Sequence, residues 1–355
     1  WTRGHIETVS SEATPTQLAE AIDRALERGP VVVEHRDSLD GVLQRLPIGA
    51  TPPERPARPI LWPAVPLWRL LSQRSVTPTE SLSIPVISVG ALTAGGSGKT
   101  PVVAWLAAQL EGAWVVSRGY RRVAAGPQVR LGLPDQEPEH DLGDELEMLR
   151  RRGISVVSAP DRVQGARLAQ SQGARFVLLD DSFQNRHLER DINIVCIDHR
   201  WPLGRGPIPV GTAREPWSAL RRASWIWIHH PAPVGLCLPA LPERPVTRSR
   251  VRALHWQIQG EAYALSTVEG AVDVVVGIAR PEGFLCALLD LGLILRSVRI
   301  LPDHGRLPPL PPGCVVTEKD AARLPSDADI RVLIMGLEIE DPEPILQSLR
   351  QLAGA

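Results

Sequence analysis

A chain of 355 residues, 43% of them hydrophobic and 22% charged, has the apolar material for packed cores and is not a disordered polymer. Its 39 basic and 40 acidic residues leave a net charge of −1, so no global positive field exists to hold nucleic acid. Cys196, Cys237, Cys286 and Cys314 lack paired spacing, which argues against a zinc knuckle or disulfide framework and fits a reducing cytoplasm. No apolar run reaches the roughly 18–20 residues that cross a bilayer.

Residues 1–58 read as an appendage: a helix from Thr16 to Arg28 capped by Thr14 or Thr16, the apolar run Val31–Val33, and a linker carrying Pro52, Pro53 and Pro56. The next stretch, ILWPAVPLWRLLSQR (60–74), sets Trp62, Leu67, Trp68, Leu70 and Leu71 beside Arg69 and Arg74. That mixture suits either a helix lying in a membrane interface or an ordinary buried helix.

From Ile84 strand and helix patterns alternate. Strands are expected at 84–89, 113–117, 155–158, 175–179 and 192–197, and helices at 99–110, 143–152 and 161–172. Short β-rich runs between helices predict a parallel sheet covered on both faces. A Pro- and Arg-rich stretch at 233–250 reads as a domain joint. A second alternation follows, with strands at 272–277, 296–300, 314–317 and 330–334 and helices at 281–291 and 342–352. The expected class is therefore α/β: an appendage (1–58), a parallel-sheet domain (59–232), which a glycine-rich turn between strand and helix at 90–100 makes P-loop NTPase-like, and a smaller α/β domain (233–355).

Chemistry concentrates in PVISVGALTAGGSGKTPVVAWLAAQL (85–110), a strand, a glycine-rich turn and a helix. Gly95, Gly96 and Gly98 let backbone amides close around phosphate oxygens. Lys99 can then reach the outer phosphates of ATP, and the Thr100 hydroxyl can bind Mg²⁺. The strict motif has Gly where this chain has Thr93. Lys99 is also one of only two lysines among the 39 basic residues, the other being Lys319. Where arginine has replaced lysine nearly everywhere, a surviving compact ammonium marks a place that a planar guanidinium does not fit. The run RFVLLDDSFQ (175–184) ends a strand in Asp180 and Asp181, where P-loop folds keep a Mg²⁺-holding acid. Asp144 and Glu145 open a helix, where carboxylates also serve as first-turn charges.

Taken in order, these segments resemble the tetraacyldisaccharide 4′-kinase family of lipid A biosynthesis. The matches are VGALTAGGSGKTP (89–101), SRGYRR (117–122), LGDE (142–145), DR (161–162), DDSFQNRHLERDINIV (180–195), GTAREP (211–216), GIARPEGF (277–284), PDH (302–304) and VTEKDA (316–321). The resemblance implies ATP-dependent phosphorylation of the 4′-hydroxyl of an acylated disaccharide 1-phosphate. It places the enzyme peripherally on the cytoplasmic face of the inner membrane, with no nucleic acid and no obligate protein partner. By motif match Ser97, Gly98, Lys99 and Thr100 hold the triphosphate, Asp144 is the catalytic base aided by His304, Glu145 and Asp181 lie near Mg²⁺, and Arg162 and Gln184 complete the site. The chain departs from the family at Ala91, Leu146, Ser182, Asn185 and Arg205. Ser182 in place of Gly narrows backbone freedom, and Asn185 cannot carry the charge of the usual His. A non-catalytic nucleotide-binding relative, or a P-loop kinase of a soluble metabolite, are the competing readings.

Overall fold

The computed structural model describes residues 80–119, 126–199, 202, 206–208, 211–229, 238–278, 281–301, 307–325 and 327–354, together with 7–8 and 31–33 through their strand pairing. The expected helices at 16–28 and 60–74 lie outside the described residues, as do His304, Arg205 and the Tyr120–Arg122 part of SRGYRR.

Two compact units share the chain. The larger comprises Thr51–Val251 with Leu337–Ala355, the smaller Trp1–Ala50 with Arg252–Gly336. This division differs from the expected 59–232 and 233–355. The chain leaves the larger unit later than the Pro-rich stretch suggests, and its last helix returns to it.

In the larger unit the strands are β3 (Val86–Ala91), β4 (Ala113–Ser117), β5 (Arg130–Gly132), β6 (Ser155–Ser158), β7 (Phe176–Asp180), β8 (Ile192–Asp198) and β9 (Trp225–His229), followed by the first half of β10 (Val246–Ile258). Helices α1 (Lys99–Gln109), α2 (Asp144–Arg151) and α3 (Arg162–Ser171) connect them. The sheet order is β10-β9-β8-β3-β7-β4-β6-β5, parallel except for β5 against β6. Strand β3 therefore lies centrally, flanked by β7 and β8. All six of its residues are buried, as are all five of β7, because a parallel sheet covered on both faces admits apolar side chains at every position.

Helices α3 and α2 show why they form where they do. Asp161 caps α3 by accepting the Val163 N–H at 2.9 Å. In α2 the acids of the first turn and Arg150 and Arg151 of the last complement the helix dipole. Burial works against the Glu147 carboxylate there, but hydrogen bonds from Arg150 and Arg151 outweigh it and hold the group below the usual carboxylate range. Arg150 also donates to the carbonyls of Leu133, Pro134 and Gln136, pinning the chain before α2.

The final helix of the chain, Glu343–Gly354, buries Ile345 and Leu349 in the same core as Leu106, Leu146, Leu178 and Trp225. The smaller unit is built on strands β12 (Ala271–Val276), β13 (Ile294–Ile300), β14 (Cys314–Thr317) and β15 (Ile330–Ile339), in the order β13-β12-β14-β15 and all parallel. Val31–Val33 of the appendage adds an antiparallel strand, β2, against β13. Pairing at that edge removes a row of open backbone groups.

Candidate active site

The glycine-rich turn leaves β3 and enters α1 with Gly95, Gly96 and Gly98 at φ 74°, 55° and 73°. Side chains rarely adopt that left-handed region, and a Cβ on Gly95 would meet nothing within 4 Å. Helix α1 starts without a side-chain cap and with no acid in its first turn, an N-terminus suited to an anion. Thr93, where the strict motif has Gly, forms an antiparallel bridge with Ala213 and keeps ordinary φ. The GTAREP segment thus clamps the start of the turn: Ala94 donates to the Thr212 carbonyl at 2.8 Å and Arg214 to that of Leu92 at 2.7 Å.

The Lys99 ammonium is only 12% exposed, 3.1 Å from Ser97 Oγ and 3.4 Å from Asp181 Oδ1. Arg214 Nη1 meets the same Asp181 oxygen at 2.6 Å, so two cations share one carboxylate at the mouth of the turn. Burial alone raises the Asp181 pKa, but Lys99 and Arg214 overcome it and hold the group at about 2. The neighbouring Asp180, 1% exposed, is pushed up to about 7 by burial and then by the Glu145 and Asp181 charges, against the pull of Lys99 and Arg162. Its Oδ1 has no hydrogen-bond partner among the described residues. A buried acid with an open oxygen, beside a second carboxylate and a threonine at a helix start, fits a hard divalent cation. Mg²⁺ commonly takes one or two carboxylates and completes its shell with phosphate and water.

The other expected residues converge here to different degrees. Gln184 donates to the Ala91 carbonyl at 2.9 Å, and its Oε1 faces Arg214 at 3.5 Å, linking the loop after β7 to the phosphate turn. Glu145 is near enough to raise Asp180. Asp144 is the first residue of α2, half-buried behind Gly143 at φ 88°. Arg162 is 1% exposed and lies under the site: it donates to the carbonyls of Ala159 and Asp180, both at 3.2 Å, and burial lowers its pKa to about 10. Thr100 is the second residue of α1.

The departures from the family pattern also find places. The positive φ in the DDSFQ loop, 48°, is carried by Asp181 and not by Ser182, so serine meets no backbone penalty there. Asn185 uses its Oδ1 to accept the His187 N–H in a local turn at 3.2 Å. Leu146 is a core side chain, and Ala91 is fully buried. The residue missed by the sequence reading is Arg214. Its only signal was membership of the GTAREP motif, since pairing across 33 positions has no local periodicity.

Three comparisons bear on this geometry. Residues 55–353 match the family model described as "Tetraacyldisaccharide-1-P 4'-kinase". Among curated relatives, a "Tetraacyldisaccharide 4'-kinase" of Anaeromyxobacter dehalogenans (strain 2CP-C) is 38% identical over 287 residues, 72% of this chain and 76% of that protein. One of Methylobacterium radiotolerans is 33% identical over 333 residues, 86% of this chain and 98% of the other. A crystal structure of LpxK from Aquifex aeolicus in complex with ATP superposes with a TM-score of 0.70 at 25% identity, covering 82% of this chain and 98% of that one.

Proposed function

We propose, from the premise that this chain belongs to the tetraacyldisaccharide-1-P 4′-kinase family, that it transfers the γ-phosphoryl group of ATP to the 4′-hydroxyl of a tetraacyldisaccharide 1-phosphate. The observation that carries the reading is the Lys99–Asp181–Arg214 cluster set at the mouth of a glycine-rich turn. A triphosphate entering that turn meets backbone amides, the start of α1, and two cations already aimed at one point. Lys99 and Arg214 then exchange the Asp181 oxygen for phosphate oxygens and offset charge on the phosphoryl group in transfer.

The acceptor oxygen forms its bond to phosphorus as the bond to the β–γ bridging oxygen breaks and ADP leaves. Asp144 takes the hydroxyl proton, the role that the family motif gives it together with His304 of the PDH motif. Mg²⁺ would be held by Thr100 and one or two carboxylates drawn from Asp181, Asp180 and Glu145, and would neutralise part of the phosphate charge; no three carboxylates converge as a cage among the described residues. Arg162 and Gln184 act on the site's frame, one beneath Asp180 and the other between Ala91 and Arg214.

The acceptor's acyl chains place the reaction at a membrane surface, the cytoplasmic face of the inner membrane in this reading, with residues 60–74 as the interfacial contact. No helix of the described residues is long and apolar enough to cross a bilayer. The non-catalytic alternative is disfavoured by retention of Lys99, Asp144 and Asp181 together.

The test is transfer of label from γ-labelled ATP to tetraacyldisaccharide 1-phosphate in mixed micelles with Mg²⁺. Asp144→Ala and Lys99→Met should each lower kcat/KM by about 10²–10⁴. A protein that binds ATP yet leaves the disaccharide unlabelled under all conditions overturns the proposal.

A further inference from the structure

We infer that His229, far from Lys99 in sequence, is a positioning residue that holds the phosphate turn in its nucleotide-binding shape by pressing an imidazole edge onto Gly98. The inference deepens the kinase reading and rests on it for the identity of the ligand. His229 ends β9 and is 1% exposed. A Cβ built on Gly98 would lie 2.4 Å from His229 Cδ2, 2.5 Å from Nε2 and 2.9 Å from Cγ. The imidazole thus occupies the space that any side chain at position 98 would claim, against a residue whose φ of 73° is already reserved for glycine. The residue after Gly98 is Lys99, and α1 begins there, so a shift of this contact moves both the ammonium and the helix start.

The ring is itself fixed from behind. Its Nδ1 lies 3.0 Å from Ser249 Oγ on β10, and Ser249 Oγ accepts the Trp227 indole N–H at 2.8 Å. With the indole donating, the serine hydroxyl hydrogen is available to Nδ1, an assignment that puts the ring proton on Nε2, the side facing Gly98. The same Trp227 indole packs edge-on against Trp105 of α1, with centroids 5.5 Å apart. Trp105, Trp227, Ser249 and His229 therefore form one chain of contacts from the body of α1 to the turn that starts it. Such a chain supports a site in the way an outer layer of hydrogen bonds fixes the groups that touch a ligand.

The experiment reads ATP affinity directly, by calorimetry on the full chain with Mg²⁺, alongside acceptor KM and melting temperature. Ser249→Ala removes the hydrogen bond behind the ring together with the acceptor of the Trp227 indole, His229→Asn keeps a polar partner for Ser249 but withdraws the ring edge, and His229→Ala removes both the ring and its bond to Ser249. Each should weaken ATP binding, His229→Ala by about tenfold, while acceptor KM stays within about twofold. Gly98→Ala should bind more weakly still, and adding His229→Ala to it should recover part of the loss, because the clash disappears while the backbone strain stays. A purely structural role predicts changes that follow melting temperature and strike ATP and acceptor alike. Wild-type ATP affinity in both Ser249→Ala and His229→Asn overturns the inference alone. A wild-type chain that binds no ATP overturns the kinase reading and this inference with it.

Discussion

Gly90 offers the sharpest test of how the site is assembled. It follows Val89 in β3 and carries no unusual φ, so replacing it by alanine adds one methyl group and no backbone strain. That methyl would lie 2.5 Å from Phe183 Cβ and 2.6 Å from the Phe183 backbone nitrogen, where ordinary contacts are 3.4–4 Å. The obstruction is main chain and the root of a buried ring, so the loop after β7 must retreat by about 1 Å, at a cost near the upper end of the overpacking range, about 3 kcal/mol. For a unit of this size that lowers the melting temperature by roughly 6–12 °C. The displaced loop carries Asp181 and Gln184, so turnover should fall by about 10²-fold in protein that remains folded, the usual result of misplacing reacting groups by an ångström. Gly283→Ala, which meets nothing within 4 Å and sits in a helix, is the control and should be stabilised by up to about 1 kcal/mol. Differential scanning calorimetry and the micelle transfer assay read both quantities. A Gly90→Ala protein that melts within 1 °C of wild type (roughly 0.3–0.5 kcal/mol) and keeps half its activity refutes the claim that β3 and the acidic loop are in contact through this glycine.

Glu147→Gln removes the partner of the buried Arg150 and should destabilise the protein at pH 7 by roughly 1–3 kcal/mol. The Glu147 pKa is depressed by folding, so its stabilisation is present above the unfolded value and fades as acid protonates it. The gap between wild type and variant should therefore narrow below about pH 4 in urea melts, and a gap that widens there contradicts the assignment. Leu349→Ala, at a side chain 2% exposed in the core of the larger unit, should cost about 2–5 kcal/mol, read as a lowered melting temperature. Unchanged melting would mean that the terminal helix is not part of that core.

What the sequence disclosed follows the range of the signals. The phosphate turn was legible because strand, glycines, lysine and helix are contiguous, and β4, β6 and β14 fall on the expected residues because a short β-branched run between helices has few other uses. The first five residues of the thirteen-residue strand β10, Val246–Arg250, fall in the Pro- and Arg-rich stretch that reads as a domain joint, and the rest carries no strand signal of its own. Its inward positions Thr247 and Ser249 are hydroxyls that accept the Trp225 and Trp227 indole hydrogens at 2.9 and 2.8 Å, so the alternation that marks a half-buried strand is written in serine and threonine instead of valine. Strand β9 was missed for the same partnership, since two tryptophans within WIWIH signal a strand only once their polar ends have somewhere to go. The return of the last helix could not be read either, because an amphipathic helix carries no label for which core it completes.

That return has a consequence for how the protein comes into being. The residues that finish the hydrophobic interior around Leu106 and Trp225 leave the ribosome only after strands β12 to β15 of the smaller unit have been made. A prematurely terminated polypeptide would carry the complete phosphate-gripping sequence and still lack the plug that seals the layer behind it. The order of synthesis thus makes maturation of the nucleotide fold wait for the strands of the smaller unit, and chains cut short before Glu343 are exposed to proteolysis before they can compete for ATP.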